Sequence, residues 1–228
     1  MKKESEGKIE LKKLFLAALP SLFFVSILIF VKGVEIVLET NFYGLGVYPL
    51  KARGLIGILT SPLVHSSWEH LYGNALPLIV LGTLLYYFHP KRTLEVILSL
   101  YLISGFWLWI FGRPTYHIGA SGVVYALAAY HITYGFVIRN PQMLALAFLV
   151  ILSYGSIVWY ILPIKDGVSW EAHLCGALCG VVLAIYYGRE QKKQALVVRG
   201  DINFSVDKEY GEKITFNYDY KPNNKKLK

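Results

Sequence analysis

Charged residues are nearly missing from the middle of this 228-residue chain. Residues 14–188 hold eight Lys or Arg and six Asp or Glu, against five Lys and three Glu in residues 1–13 and ten basic and six acidic residues in 189–228. Only 17% of the residues are charged and 55% are hydrophobic, with a mean hydropathy of +0.45. That balance excludes an ordinary soluble domain, which carries about a quarter of its residues as charges. It points to an apolar membrane block with two polar tails.

Other absences narrow the reading. The only cysteines, Cys175 and Cys179, sit four apart in one apolar segment, which excludes a disulfide framework. No second ligand pair accompanies them, so they read as small packing residues, and no metal is expected. The sequence lacks HExxH, since Glu69-His70 is followed by Leu71-Tyr72-Gly73-Asn74; it lacks GxSxG too, because Val123 stands where the last glycine would be. A zinc protease and a soluble hydrolase elbow are thereby set aside. No small-residue cleavage site follows the first apolar run, so residues 14–31 are expected to stay as a membrane span. Internal repeats and clear midplane polar groups are also missing, which argues against a six-span transporter. The net charge of +8 is modest and lies beside apolar segments, so it is assigned to orientation in the bilayer rather than to nucleic acid.

What is present is a series of apolar runs with turn signals between them. Spans are expected at 14–31, 68–88, 94–111, 121–138, 143–162 and 170–188, giving an all-α, polytopic six-helix bundle. The lysine-rich lead, residues 1–13, and the basic turns His89-Pro90-Lys91-Arg92 and Arg139-Asn140-Pro141 belong on the cytoplasmic side by the positive-inside rule, as does the tail 189–228. Residues 39–64 are rich in Gly and Pro yet too apolar for a solvated loop, and are expected to lie partly embedded at the interface. Within the tail, Ile202, Phe204 and Val206, then Ile214, Phe216, Tyr218 and Tyr220, alternate with polar residues. That pattern reads either as a small β-hairpin or as a disordered segment before Lys221. Trp107, Trp109, Trp159, Tyr160 and Trp170 read as interfacial anchors.

Polar side chains at membrane depth are costly and so are candidates for function. They are His65, His70, Asn74, Ser121, Tyr125, His131 and His173, with His117 in a nearby loop. His70 and Asn74, four apart, share a helix face. Ser121, Tyr125 and Ala128 form one stripe; His173, Gly176 and Gly180 form another, each with its polar group at the outer end and small residues that permit close helix approach. If the stripes face each other, Ser121 and His173 meet at one level, although 52 residues separate them. A serine beside a histidine is a minimal activated nucleophile. The Ser121 N–H, Asn74 and His70 are the donors available to an oxyanion. Glu171 turns away from His173 on a helix, so a dyad is favoured over a triad. Taken alone, Ser121 is equally a helix N-cap. His131 is read as a packing residue, His89 as solvated, and His117 has no assigned role.

Gly119-Ala120-Ser121-Gly122 opening one span, Ala172-His173-Leu174-Cys175-Gly176 with Gly180 on a later one, and His70-Leu71-Tyr72-Gly73-Asn74 on an earlier one together resemble the rhomboid family of intramembrane serine proteases. The resemblance covers residues 14–188. It implies Ser121 as nucleophile, His173 as base, His70 and Asn74 in the oxyanion hole, Tyr125 packed on the His173 imidazole, and His65 as an orienting histidine. It further implies cleavage of single-span membrane proteins near the outer end of the substrate helix, within the lipid bilayer and with no cofactor. A rhomboid-like escort without catalysis is the alternative, and such relatives typically lose the serine or the histidine. One departure is visible: where many relatives carry Trp-Arg in the first loop, Ile56 and Gly57 stand here.

Overall fold

The structure is a computed structural model that describes residues 2–155, 161–163 and 167–200. The described residues are helical throughout, apart from turns and one isolated antiparallel bridge between Val47 and His117. Six long helices appear: α1 (Lys2–Val37), α3 (Trp68–Phe88), α4 (Thr93–Phe111), α5 (Ser121–Ile138), α6 (Pro141–Tyr154) and α7 (Trp170–Gly200), with a one-turn helix α2 (Gly57–Thr60) before α3.

Five of these helices, α1, α3, α4, α5 and α7, are long and apolar enough to cross a bilayer. For the fifth expected span, 143–162, the described helix is the 14-residue α6, about 21 Å long at 1.5 Å per residue, and residues 156–160 lie outside the described set. The ends of the bundle differ from the sequence reading. α1 starts at Lys2, so the described part of the charged lead belongs to the same helix as the span, and α7 runs on to Gly200, beyond the expected end at Gly188. Lys, Glu, Gln and Ala are good helix formers, and extending a nucleated helix is cheap. The hairpin read in residues 202–220 falls outside the described residues.

Local chemistry sets the breaks. Ser67 caps α3 by accepting from the His70 amide at 3.2 Å. Between α5 and α6, Arg139 takes the left-handed conformation (φ 53°), and Asn140 accepts from the Gln142 amide at 2.9 Å, with Pro141 in the first turn. Pro20 and Pro77 lie inside α1 and α3, as membrane helices tolerate.

α5 is the centre of the bundle and packs on α3, α4, α6 and α7. Its contact with α7 is a backbone contact. A methyl group on Gly176 would stand 2.1 Å from the Gly122 carbonyl oxygen, and one on Gly180 2.2 Å from that of Ala126. Hydrocarbon lipid supplies no hydrophobic drive between helices, so this closeness of glycine-faced backbones is what holds the pair. α1 packs on α3 through a side chain instead, Ser21 filling the space that Gly82 leaves open.

Cross-links show which helix ends lie together. Tyr87 near the end of α3 donates to Glu10 near the start of α1 at 2.5 Å, and Tyr134 of α5 donates to Gln191 of α7. The first turns of α1 and the last turns of α3, α5 and α7 therefore share one end of the bundle. The starts of α3, α5 and α7 share the other, together with the connection 38–67. That connection does lie against the bundle: Val47 and Val64 are fully buried, and Tyr101, ten residues before the end of α4, donates to the Leu59 carbonyl at 2.6 Å. Gly57 sits where a side chain would strike the Gly46–Val47 backbone at 2.3 Å. A bulky residue cannot occupy that point of this loop.

Candidate active site

Ser121 is the first residue of α5, where the opening amides of a helix have no intrahelical acceptor. The turn before it is built around Gly119, whose φ of 102° disfavours any side chain and where a Cβ would stand 2.6 Å from the His70 ring. The Gly119 amide donates to the Ser61 carbonyl at 2.9 Å, and the Ala120 amide points to His65 Nε2 at 3.4 Å. The turn that carries Ser121 is thus tied to the connection 38–67 from behind.

His173 lies in the first turn of α7. Its Nε2 is 2.8 Å from Ser121 Oγ, and its ring stacks on Tyr125 with centroids 4.1 Å apart and planes 7° apart. For the hydroxyl to donate, the imidazole must carry its proton on Nδ1. The stack fixes the ring plane, and with it the direction in which Nε2 points. The side chain of His173 is 6% exposed, so the pair is shielded from bulk solvent on most sides.

The third group comes from α3. Asn74 Nδ2 donates to the His70 carbonyl at 3.1 Å, as the i, i+4 spacing predicts. A Cβ on Gly119 would lie 2.7 Å from His70 Nε2 and 3.7 Å from Asn74 Nδ2, so both donors stand beside the turn that carries Ser121. His65 lies edge-on to His70 at 5.0 Å. It is 1% exposed, and burial together with the neighbouring His70 pushes its pKa down to about 4. Neutral at ordinary pH, it can accept from the Ala120 amide.

Gly122, Gly176 and Gly180 lie at the α5–α7 contact, where Gly122 faces the Ala172 carbonyl. The α7 stripe faces α5 as read from sequence, but Gly176 and Gly180 meet Gly122, Ala126 and Ala129 there, one position round the helix from the Ser121, Tyr125 and Ala128 stripe, and Gly188, against Val137, extends the seam further. Ala172 packs with Val47 and Leu108 in a small second cluster. His131 is a packing residue: its Nε2 donates to the Leu81 carbonyl at 2.9 Å. His89 is not solvated as read from sequence. It is half-buried edge-on against Tyr134 at 4.6 Å, and burial pushes its pKa down to about 4.

His117, unassigned from sequence, has a clear place. Its backbone pairs with Val47, its Nε2 donates to the Arg113 carbonyl at 3.0 Å, and its Nδ1 takes the Ser169 hydroxyl at 2.6 Å. Ser169 in turn faces the Ala172 amide at the start of α7. The loop before Ser121 is thereby clasped to the helix that bears His173. Next to it, Arg113 Nε stands 3.0 Å from the buried Glu171 carboxylate and Arg113 Nη2 donates to Val168 at 2.9 Å, so Glu171 is engaged with Arg113. No local signal marks this cluster in the sequence, because its members lie on one loop and, from 52 residues further on, around the start of α7.

A helical membrane bundle whose central helix starts with a serine held against a histidine defines a class: integral membrane proteins with a serine–histidine site near one end of the bundle. Comparison with known proteins makes the membership specific. The family model described as the Rhomboid domain matches residues 52–190. Over 163 residues the chain is 33% identical to the uncharacterized protein Rv1337 of Mycobacterium tuberculosis, 68% of each chain being covered. It is also 33% identical over 165 residues to the uncharacterized protein ML1171 of Mycobacterium leprae, covering 68% of this chain and 65% of that one. The chain belongs to the rhomboid family, which includes intramembrane serine proteases.

Proposed function

We propose that this protein is an intramembrane serine endopeptidase that cleaves single-span membrane proteins. The observation that carries the reading is the 2.8 Å contact between Ser121 Oγ and a His173 ring stacked on Tyr125. Ser121 Oγ attacks the scissile carbonyl carbon while His173 Nε2 takes the hydroxyl proton. Negative charge builds on the carbonyl oxygen, where the Ser121 N–H, Asn74 Nδ2 and His70 can donate to it. Collapse breaks the C–N bond, and the leaving amine takes the proton from His173. Water, deprotonated by the same imidazole, then attacks the acyl ester and frees Ser121.

In the orientation we propose, which the excess of Lys and Arg in the short turns and tails supports, the bundle end bearing Glu10 and Gln191 lies in the cytoplasm and the site end outside, in a bacterial cytoplasmic membrane. Cleavage then falls near the outer end of the substrate helix. The test is labelling of the purified protein by a fluorophosphonate, with Ser121→Ala and His173→Ala beside it. Labelling of the wild type alone is expected. A wild type that neither labels nor cleaves a reconstituted single-span substrate refutes the protease reading and leaves the helix-escort function; labelling that survives Ser121→Ala refutes the residue assignment.

A further inference from the structure

α1 lies outside the stretch that matches the family model, yet it reaches the site. Near its end, Lys32 and Glu35 form an ion pair, Nζ to Oε2 at 3.1 Å, with side chains 13% and 3% exposed. A lysine at a helix end in a membrane ordinarily extends toward the headgroups. Lys32 turns inward: its Nζ also donates to the carbonyls of His65 at 3.0 Å and Ser66 at 3.2 Å. The three donors of the ammonium group thus have three acceptors. Glu35 is committed as well, its second oxygen accepting from the Phe42 amide at 2.7 Å.

The two carbonyls that Lys32 holds belong to the turn that leads into α3. From that turn His65 Nε2 meets the Ala120 amide, and Ser66 Oγ contacts His70 Nδ1 at 3.2 Å. One bonded path therefore runs from Lys32 through Ser66 to the imidazole of His70, and a second through His65 to the residue before Ser121. Two apolar side chains at positions 32 and 35 would fasten α1 to the bundle equally well, since desolvation offsets much of the attraction within a buried ion pair. They would not hold these two carbonyls.

We propose that Lys32 and Glu35 are positioning residues for catalysis: by gripping the His65 and Ser66 carbonyls they set where His70 stands relative to the oxygen of the carbonyl group whose carbon Ser121 attacks. The inference rests on the protease reading above. It is tested in the full chain with the double variant Lys32→Met/Glu35→Leu, measuring thermal unfolding in detergent, the second-order rate of fluorophosphonate labelling, and cleavage kinetics on a single-span substrate.

The double variant is expected to unfold within a few degrees of the wild type or above it, and to label about tenfold more slowly. Its kcat falls while KM stays within about twofold, because the displaced donor acts on the transition state. A folded double variant that labels and cleaves like the wild type overturns the inference while leaving the protease reading intact, whereas a wild type that does not label refutes that reading instead. Should the double variant unfold, Lys32→Gln decides the matter: it is expected to lower kcat severalfold at unchanged KM, and wild-type kcat in that variant overturns the inference.

Discussion

Replacing Gly176 by alanine puts a methyl carbon 2.1 Å from the Gly122 carbonyl oxygen, 3.0 Å from its carbonyl carbon and 3.3 Å from the Ala126 amide nitrogen. All three atoms are backbone in the first turns of α5, packed against α7, so none can swing aside. An ordinary contact needs about 3.4 Å, and α7 must therefore retreat from α5 by about 1 Å at this point. His173 lies one turn earlier on the same helix, and its 2.8 Å contact with Ser121 lengthens past hydrogen-bond range. A misplacement of about 1 Å at a reacting centre costs on the order of 10²-fold in rate, equivalent to about 2.7 kcal/mol. The packing strain itself is of order 1–3 kcal/mol, which weakens the bundle without preventing insertion. The assay is the second-order rate of fluorophosphonate labelling in detergent, with circular dichroism and monodispersity to verify the fold. Gly7→Ala is the control, because a methyl group there meets nothing within 4 Å. A folded Gly176→Ala protein that labels within twofold of the wild type would refute the claim that the glycine seam sets the Ser121–His173 distance.

Tyr125→Leu removes a stack of about 0.5–1.5 kcal/mol and should slow labelling two- to tenfold; an unchanged rate in a folded variant would show that the stack does not orient His173. Acid should destabilise the fold through His65. Its folded pKa of about 4 lies below the unfolded value near 6.5, so the unfolded chain binds the proton first, and stability is lost as pH falls from 6.5 toward 4. The loss is of order 2–3 kcal/mol, read as a falling unfolding midpoint in detergent. His65→Gln should flatten that slope, and an unchanged slope in this variant would mean that the acid sensitivity arises elsewhere.

The sequence by itself determined the membrane block, the order of its helices and the candidate site residues. These are local or periodic signals. Apolar length marks a span, Arg139-Asn140-Pro141 marks a break through turn chemistry, and glycines at helical spacing mark a face that can approach another helix. Ser121, His173, His70 and Asn74 were legible because each is polar where polarity is expensive, and because hydropathy brings the starts of α3, α5 and α7 to one level. Lys32 and Glu35 are equally charged and lie just past the end of an apolar run, with no local signal that sets them apart. Charge at a helix end is ordinary, and whether it turns toward headgroups or backward onto two carbonyls depends on neighbours 33 and 34 residues away.

Only the tertiary structure decided the lateral relations: the 2.8 Å between Ser121 and His173, the His70 ring in the space left by Gly119, and the clasp of His117 on Ser169 at 2.6 Å. The reason is physical. Depth in the bilayer follows from each segment's own composition, whereas rotation and approach of one helix against another are settled by contacts between segments distant in sequence. A glycine announces that close approach is allowed. The partner backbone, Gly122 and Ala126 across from Gly176 and Gly180, decides where it happens and so what the serine can reach.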